Sequence, residues 1–258
     1  GYTTACASSL QNFPFDKQGK NRNLGLQIQF YGVGCFRISF EGQDILSDPF
    51  FSYLSFRKVA FGKIQSDPEQ VDSYLPQLKN VQTVIVGHNH YDHNLDLAYI
   101  TPHLHSNAII LGSKTLKHTF APLGLERPIV DINANVAKHK EMGKWWYHPN
   151  QRVRILPILS EHPNQYLFFH LFTRSLQQDR MEKPQKVFHY QEGLTFAFLI
   201  DFIRSNRIQR RVYIQTTSTG FPMGSFPKKI LEEHPIDVAL LSMDSANIAM
   251  DNKYSILD

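Results

Sequence analysis

The chain has 258 residues, 42% of them hydrophobic, which is enough for one sizeable core or for two small sheets packed together, and one domain is the expected count. No run reaches the roughly 18 to 20 uninterrupted apolar residues of a membrane-spanning helix, so no transmembrane segment is expected. The net charge of +4 is dispersed; its densest group, Arg207-Ile208-Gln209-Arg210-Arg211, reads as a solvated turn between strands, and no nucleic-acid partner is expected.

Two cysteines exclude a disulfide framework and a cysteine-rich zinc site. Residues 1–23 are polar and read as an extended arm, with residues 24–258 forming a single domain. Within the arm, Cys6 follows small residues. One reading is the remnant of a bacterial lipoprotein signal, which implies the cell envelope; the other is an ordinary polar tail on a cytoplasmic protein. Strands are predicted over residues 26–31 and 35–40, joined by Gly32-Val33-Gly34, with a third at 45–48. Cys35 sits in an apolar strand and is expected to pack there. The aromatic segment from Phe50 to Phe56 supports two readings, core packing beneath a loop or one wall of a substrate pocket. Asp67-Pro68-Glu69 then starts a helix to about Leu75, with Asp67 as N-cap and Pro68 in the first turn.

Residues 81–86 are β-branched and apolar, a buried strand that stops at Gly87. The adjoining segment His88-Asn89-His90-Tyr91-Asp92-His93 packs three imidazoles and a carboxylate into six residues on a loop at a strand's C-terminal end. Neutral imidazoles and a carboxylate are ligands for a borderline divalent ion such as Zn²⁺. A tight loop can turn His88 and His90 to one side and Asp92 and His93 to a neighbouring position, which suits a two-metal hydrolytic centre. Downstream come a helix near 96–100, a strand at 108–112 and a helix over 113–120. A strand at 153–159 delivers His162 just past its end. Residues 164–191 are irregular and aromatic, and read as a lid or pocket wall. Strands at 194–200 and 211–215, a helix at 227–234 and a strand at 236–241 complete a layered α/β (α+β) pattern.

The run His88-x-His90-x-Asp92-His93 resembles the signature of the metallo-β-lactamase superfamily. The opening hairpin ending in Asp48-Pro49, and Leu159-Ser160-Glu161-His162-Pro163, resemble other segments of that family in order and spacing. Within it the chain is most similar to the branch of L-ascorbate 6-phosphate lactonase and the phospholipase D acting on N-acyl phosphatidylethanolamines. The resemblance implies a four-layer αββα sandwich. It implies His88, His90 and His162 on one metal and Asp92 and His93 on a second, Asp92 also acting in catalysis. Asp48 is expected to hydrogen-bond the ligand loop. One or two divalent ions are implied, zinc first, with iron or manganese as alternatives.

Two departures from that pattern concern the second ion. The bridging acid the family supplies after a later strand is missing from residues 213–221, where the replacement is Ser218 or Thr216 depending on alignment. The family's final histidine has no counterpart after His234. Either the chain is a piece cut before it or the second site is incomplete, with Asp244 and Asp251 as substitutes. The expected activity is metal-dependent hydrolysis of an ester, lactone, amide or phosphodiester in a small-molecule or lipid-like substrate; the alternative is a degenerate member that binds without turnover.

Overall fold

The computed structural model describes residues 25–162 and 172–242. The arm with Cys6, the part of the insertion carrying Tyr166, Phe168, Phe169 and His170, and the stretch with Asp244 and Asp251 lie outside them. Strands β1 (Gln27–Gly32), β2 (Cys35–Phe40) and β3 (Gln43–Ser47) form an antiparallel meander. From β3 the sheet continues in parallel through β4 (Val81–Ile85), β5 (Ile109–Gly112) and β6 (Ile129–Asp131). The second sheet pairs β7 (Trp146–Tyr147), β8 (Val153–Ser160), β9 (Thr195–Arg204) and β10 (Arg207–Gln215) antiparallel, and β11 (Val238–Leu241) runs parallel to β10.

Side-chain parity stacks these sheets. Ile45, Ile85 and Leu111 point between them and meet Phe196, Phe198, Ile200 and Val212 of the second sheet. Their neighbours Leu46, Val84 and Ile110 point the other way, onto Leu97 and Ile100 of α1 (Leu97–Ile100) and Leu116 and Phe120 of α2 (Lys114–Phe120). On the far face, Leu156, Leu199 and Tyr213 pack against Ile230 of α3 (Lys229–Glu233). Both faces of each sheet are covered, because strands with apolar residues at consecutive positions must bury both sides. The result is the four-layer αββα sandwich expected from the sequence.

Three local expectations change. The helix predicted from Pro68 to Leu75 is two single turns, Pro68–Val71 and Leu75–Leu78. Pro76 has no N–H to donate back to the Asp72 carbonyl, and the chain there tightens to three-residue turns, Tyr74 N–H to Val71 C=O and Gln77 N–H to Tyr74 C=O, both at 2.9 Å. Asp67 caps no backbone N–H with its side chain, which instead accepts from Gln70 Nε2 at 2.7 Å. The basic run 207–211 is not a solvated turn. It opens β10, the turn is Ser205-Asn206 at positive φ, and Arg211 is fully buried on Asp201. Cys35 is completely buried, and burial pushes its thiol pKa up, in keeping with a packing role. Among the described residues no helix is long and apolar enough to cross a membrane.

Candidate metal centre

Because β3 and β4 are parallel, Asp48 and Gly87 leave the first sheet at the same edge. Gly87 N–H donates to Asp48 Oδ1 at 2.6 Å, and Gly87 C=O accepts from Phe196 N–H, at the start of β9, at 2.7 Å. These two bonds fix the ligand loop between the sheets. A side chain at Gly87 would run into Thr216 Oγ1 and reach within 3.3 Å of Asp48 Oδ2, so the position has room only for glycine.

His88 and His90 are buried, His162 is half-buried, and one ligand atom of each lies within 4.8 Å of the others. His88 Nε2 and His90 Nδ1 face each other at 3.0 Å, and the His162 ring centroid is 5.2 Å from that of His88 and 5.1 Å from that of His90. Bonds of about 2.0 to 2.1 Å to a tetrahedral ion put ligand nitrogens roughly 3.3 Å apart, so modest side-chain adjustment closes the set. His88 Nδ1 and His90 Nε2 are buried without a hydrogen-bond partner. Burial, with neighbouring imidazoles adding to it, holds His88 well below the usual histidine range and lowers His90 to about 4, against the pull of Asp92 on His90. Neutral rings with inward-facing nitrogens are what a divalent cation requires. The three residues could hold one.

His93 is held differently. Its Nδ1 lies 2.6 Å from Asp48 Oδ2, and its Nε2 lies 3.9 Å from Asp92 Oδ2. Burial opposes its protonation, but Asp48 and Asp92 outweigh that and raise its pKa. Asp48 is fully buried and sits at φ +39°, a costly backbone for a non-glycine residue, which marks a position the surroundings over-determine. Its two oxygens thereby reach Gly87 and His93 together. Among the described residues, no third acid, histidine or cysteine joins Asp92 and His93 in a metal-sized group.

Of the two hydroxyl residues left open by the sequence, Thr216 packs against this cluster: a Cβ on Gly34 would lie 2.6 Å from Asp48 Oδ2 and 2.7 Å from Thr216 Cβ. Its Oγ1 is buried without a partner. Ser218 is half-buried further along. Replacing Thr216 with aspartate is expected to raise affinity for a second ion, read as a rise towards two ions per chain in elemental analysis at fixed Zn²⁺ or Mn²⁺, and to lower the melting temperature without metal by crowding two carboxylates.

Asn89 was missed by the sequence reading. It is fully buried; its amide donates to Thr119 Oγ1 at 2.9 Å and Gln191 C=O at 2.8 Å, and its oxygen accepts from Asn94 Nδ2 at 2.9 Å. Asn89 N–H also donates to Glu192 C=O. The end of the insertion is therefore bonded directly to the ligand loop. The only signal was an amide between two ligand histidines, too common to read alone. Phe50 and Phe51 are both core: Phe51 is tied through its backbone to Asp96, and Phe50 stacks edge-on to exposed Tyr53 and to Tyr91, the residue before Asp92.

A family model described as the Beta-lactamase superfamily domain matches residues 27–197. The chain belongs to the metallo-β-lactamase superfamily. No curated protein sequence matches it. Solved structures similar to this superfamily domain include Igni18, a metallo hydrolase from Ignicoccus hospitalis KIN4/I, at 15% identity and TM-score 0.44, covering 73% of this chain and 59% of Igni18. CmlA, a diiron β-hydroxylase from Streptomyces venezuelae, is 15% identical with TM-score 0.46, covering 85% of this chain and 35% of its own. The isothiocyanate hydrolase from Delia radicum gut bacteria is 14% identical with TM-score 0.42, covering 76% and 64%. The chain thus spans less than two thirds of each of these proteins.

The imidazole pKa values set an acid limit. A group whose folded pKa is depressed contributes stability that is present above its unfolded value and lost as pH falls through the folded one. For His90 that window runs from 6.5 down to about 4, and His88 acts in the same direction. His93 is raised and acts oppositely, its contribution being present below 6.5 and lost at higher pH. Thermal melts in chelator are expected to show the melting temperature falling from pH 6.5 to 4. Added metal should steepen that fall, because protons and metal compete for the same nitrogens. A flat profile would mean the rings are solvated.

Proposed function

We propose that the protein is a metal-dependent hydrolase whose first ion is held by His88, His90 and His162. The convergence of these three imidazoles from two distant parts of the chain carries the reading. When bound, a divalent ion supplies Lewis acidity and lowers the pKa of water to about 7. Asp92, with its side chain 34% exposed at the rim, is placed to take a proton from the attacking water and pass it to the leaving group. Asp48 orients His93, and His93 Nε2 and Asp92, 3.9 Å apart, would serve a second ion. Zinc fits the donor set best, with iron and manganese suited to the same ligands.

Exposed Tyr53 and half-buried Tyr91, each edge-on to buried Phe50, put aromatic surface next to Asp92, which supports a substrate with an apolar portion such as an acyl chain. With the resemblance to the lactonase and N-acyl phosphatidylethanolamine phospholipase D branch, lactones and N-acyl phospholipids are the first substrates to try. Elemental analysis combined with turnover on lactones, acyl amides, esters and phosphodiesters tests the proposal. At least one ion per chain with turnover on one class is expected. Stoichiometric metal with no turnover on any class, unchanged by added Zn²⁺ or Mn²⁺, would instead mark a fold that binds without catalysing.

A further inference from the structure

At the opposite edge of the sandwich, the starts of β4, β5 and β6 and the turn between β7 and β8 enclose a cleft of about 410 Å³. That is the size of a small-ligand site. Two imidazoles line it. His105 Nδ1 accepts from Asn107 N–H at 3.2 Å, and His148 Nδ1 accepts from Asn150 N–H at 3.2 Å. A ring nitrogen that accepts carries no proton, so in each ring the proton sits on Nε2. Burial, with His105 nearby, lowers the His148 pKa although a bond with the Asn150 side chain pulls it up, so this ring is neutral at pH 7.

His148 is only 5% exposed, and its Nε2 is buried with no partner. Buried donors are very rarely left unmatched in folded proteins. Beside them stands Arg127, 17% exposed at its side chain, fixed by the bond from its Nε to His105 C=O at 3.1 Å. The one acid on the wall, Glu126, is 3.5 Å from Arg127 and largely in water. The Asn150 amide is already spent on Gln43 at 2.6 Å. A metal ion does not suit this set, because binding at Nε2 would push each proton onto Nδ1 and break both backbone bonds.

We propose that this cleft binds a small molecule through an oxyanion group, phosphate or carboxylate, held by the Arg127 guanidinium and the Nε2–H donors of His148 and His105. The site is independent of the metal centre. Its test is a long-range ¹H–¹⁵N NMR titration of the full chain with inorganic phosphate and, separately, with acetate, the ring signals being assigned with His105→Gln and His148→Gln. A saturable shift of the His148 and His105 ring nitrogens is expected with at least one anion, and which one saturates distinguishes phosphate from carboxylate. Arg127→Ala should raise the half-saturation concentration at least tenfold while metal content stays unchanged. Rings that do not respond to either anion, or a response as strong in Arg127→Ala, would overturn the proposal. The wild-type titration decides even if the variant fails to fold.

Discussion

Replacing His90 with alanine is expected to cost the protein its metal and its hydrolysis together. His90 offers one of the three ring nitrogens, clustered within 4.8 Å, that could hold an ion, and its Nδ1 faces His88 Nε2 at 3.0 Å. Two imidazoles leave an ion half-open to water. Removing a group that merely orients a metal ligand typically costs 10- to 100-fold in affinity or activity, so losing a ligand should exceed about 100-fold. Asp48→Asn provides the comparison. It keeps the side-chain size but weakens the grip on His93, and its loss should stay within that 10- to 100-fold range. Metal per chain by elemental analysis, and turnover on whichever substrate the screen finds, measure both. Because the fold around His90 is anchored by backbone bonds from Gly87 and Asn89, the variant should stay folded by circular dichroism. Full metal content in folded His90→Ala would remove His90 from the site.

The ligand loop was legible in the sequence because its cues are local: an apolar strand, a glycine and clustered histidines within a dozen residues. His162 was legible only through its place just after another strand and the family resemblance of the segment Leu159-Ser160-Glu161-His162-Pro163. Strand parity was visible too, since paired apolar positions such as Ile45-Leu46 and Val84-Ile85 require two covered faces. What escaped depends on contacts across the chain. Thr216 and Ser218 could not be separated, because the choice rests on which hydroxyl packs against Asp48 and Gly87, residues about 170 and 130 positions away. The short strands β6 and β7 carry too few residues for an alternation to register. Arg211 was misread for a related reason: a guanidinium in a basic run looks solvated until its carboxylate partner, ten residues earlier, is known to sit opposite it on the next strand.

That buried pair makes the second large prediction, on stability rather than chemistry. Asp201 is fully buried and accepts from Arg211 Nε at 2.6 Å, Arg211 Nη2 at 2.7 Å and Arg154 Nε at 2.8 Å. Arg211 also donates to the Ile230 and His234 carbonyls at 2.7 and 2.6 Å, and Trp145 lies 4.2 Å from the Arg154 guanidinium. One carboxylate thus ties β8, β9, β10 and the end of α3 together while two guanidinium groups depend on it. Asp201→Ala leaves both cations with their nearest buried partner gone, and breaking such a pair costs about 3–5 kcal/mol. Set against the 5–15 kcal/mol typical of a whole domain, that is enough to lower urea resistance severely. Glu233 is the contrast: it lies 2.5 Å from Arg154 Nη2 but is 53% exposed, so water replaces it and Glu233→Ala should cost no more than about 1 kcal/mol. Urea titrations with unchanged m-values read both losses as midpoint shifts. If the two variants shifted equally, water would have to reach the guanidiniums, and the second sheet would be held by its apolar faces alone.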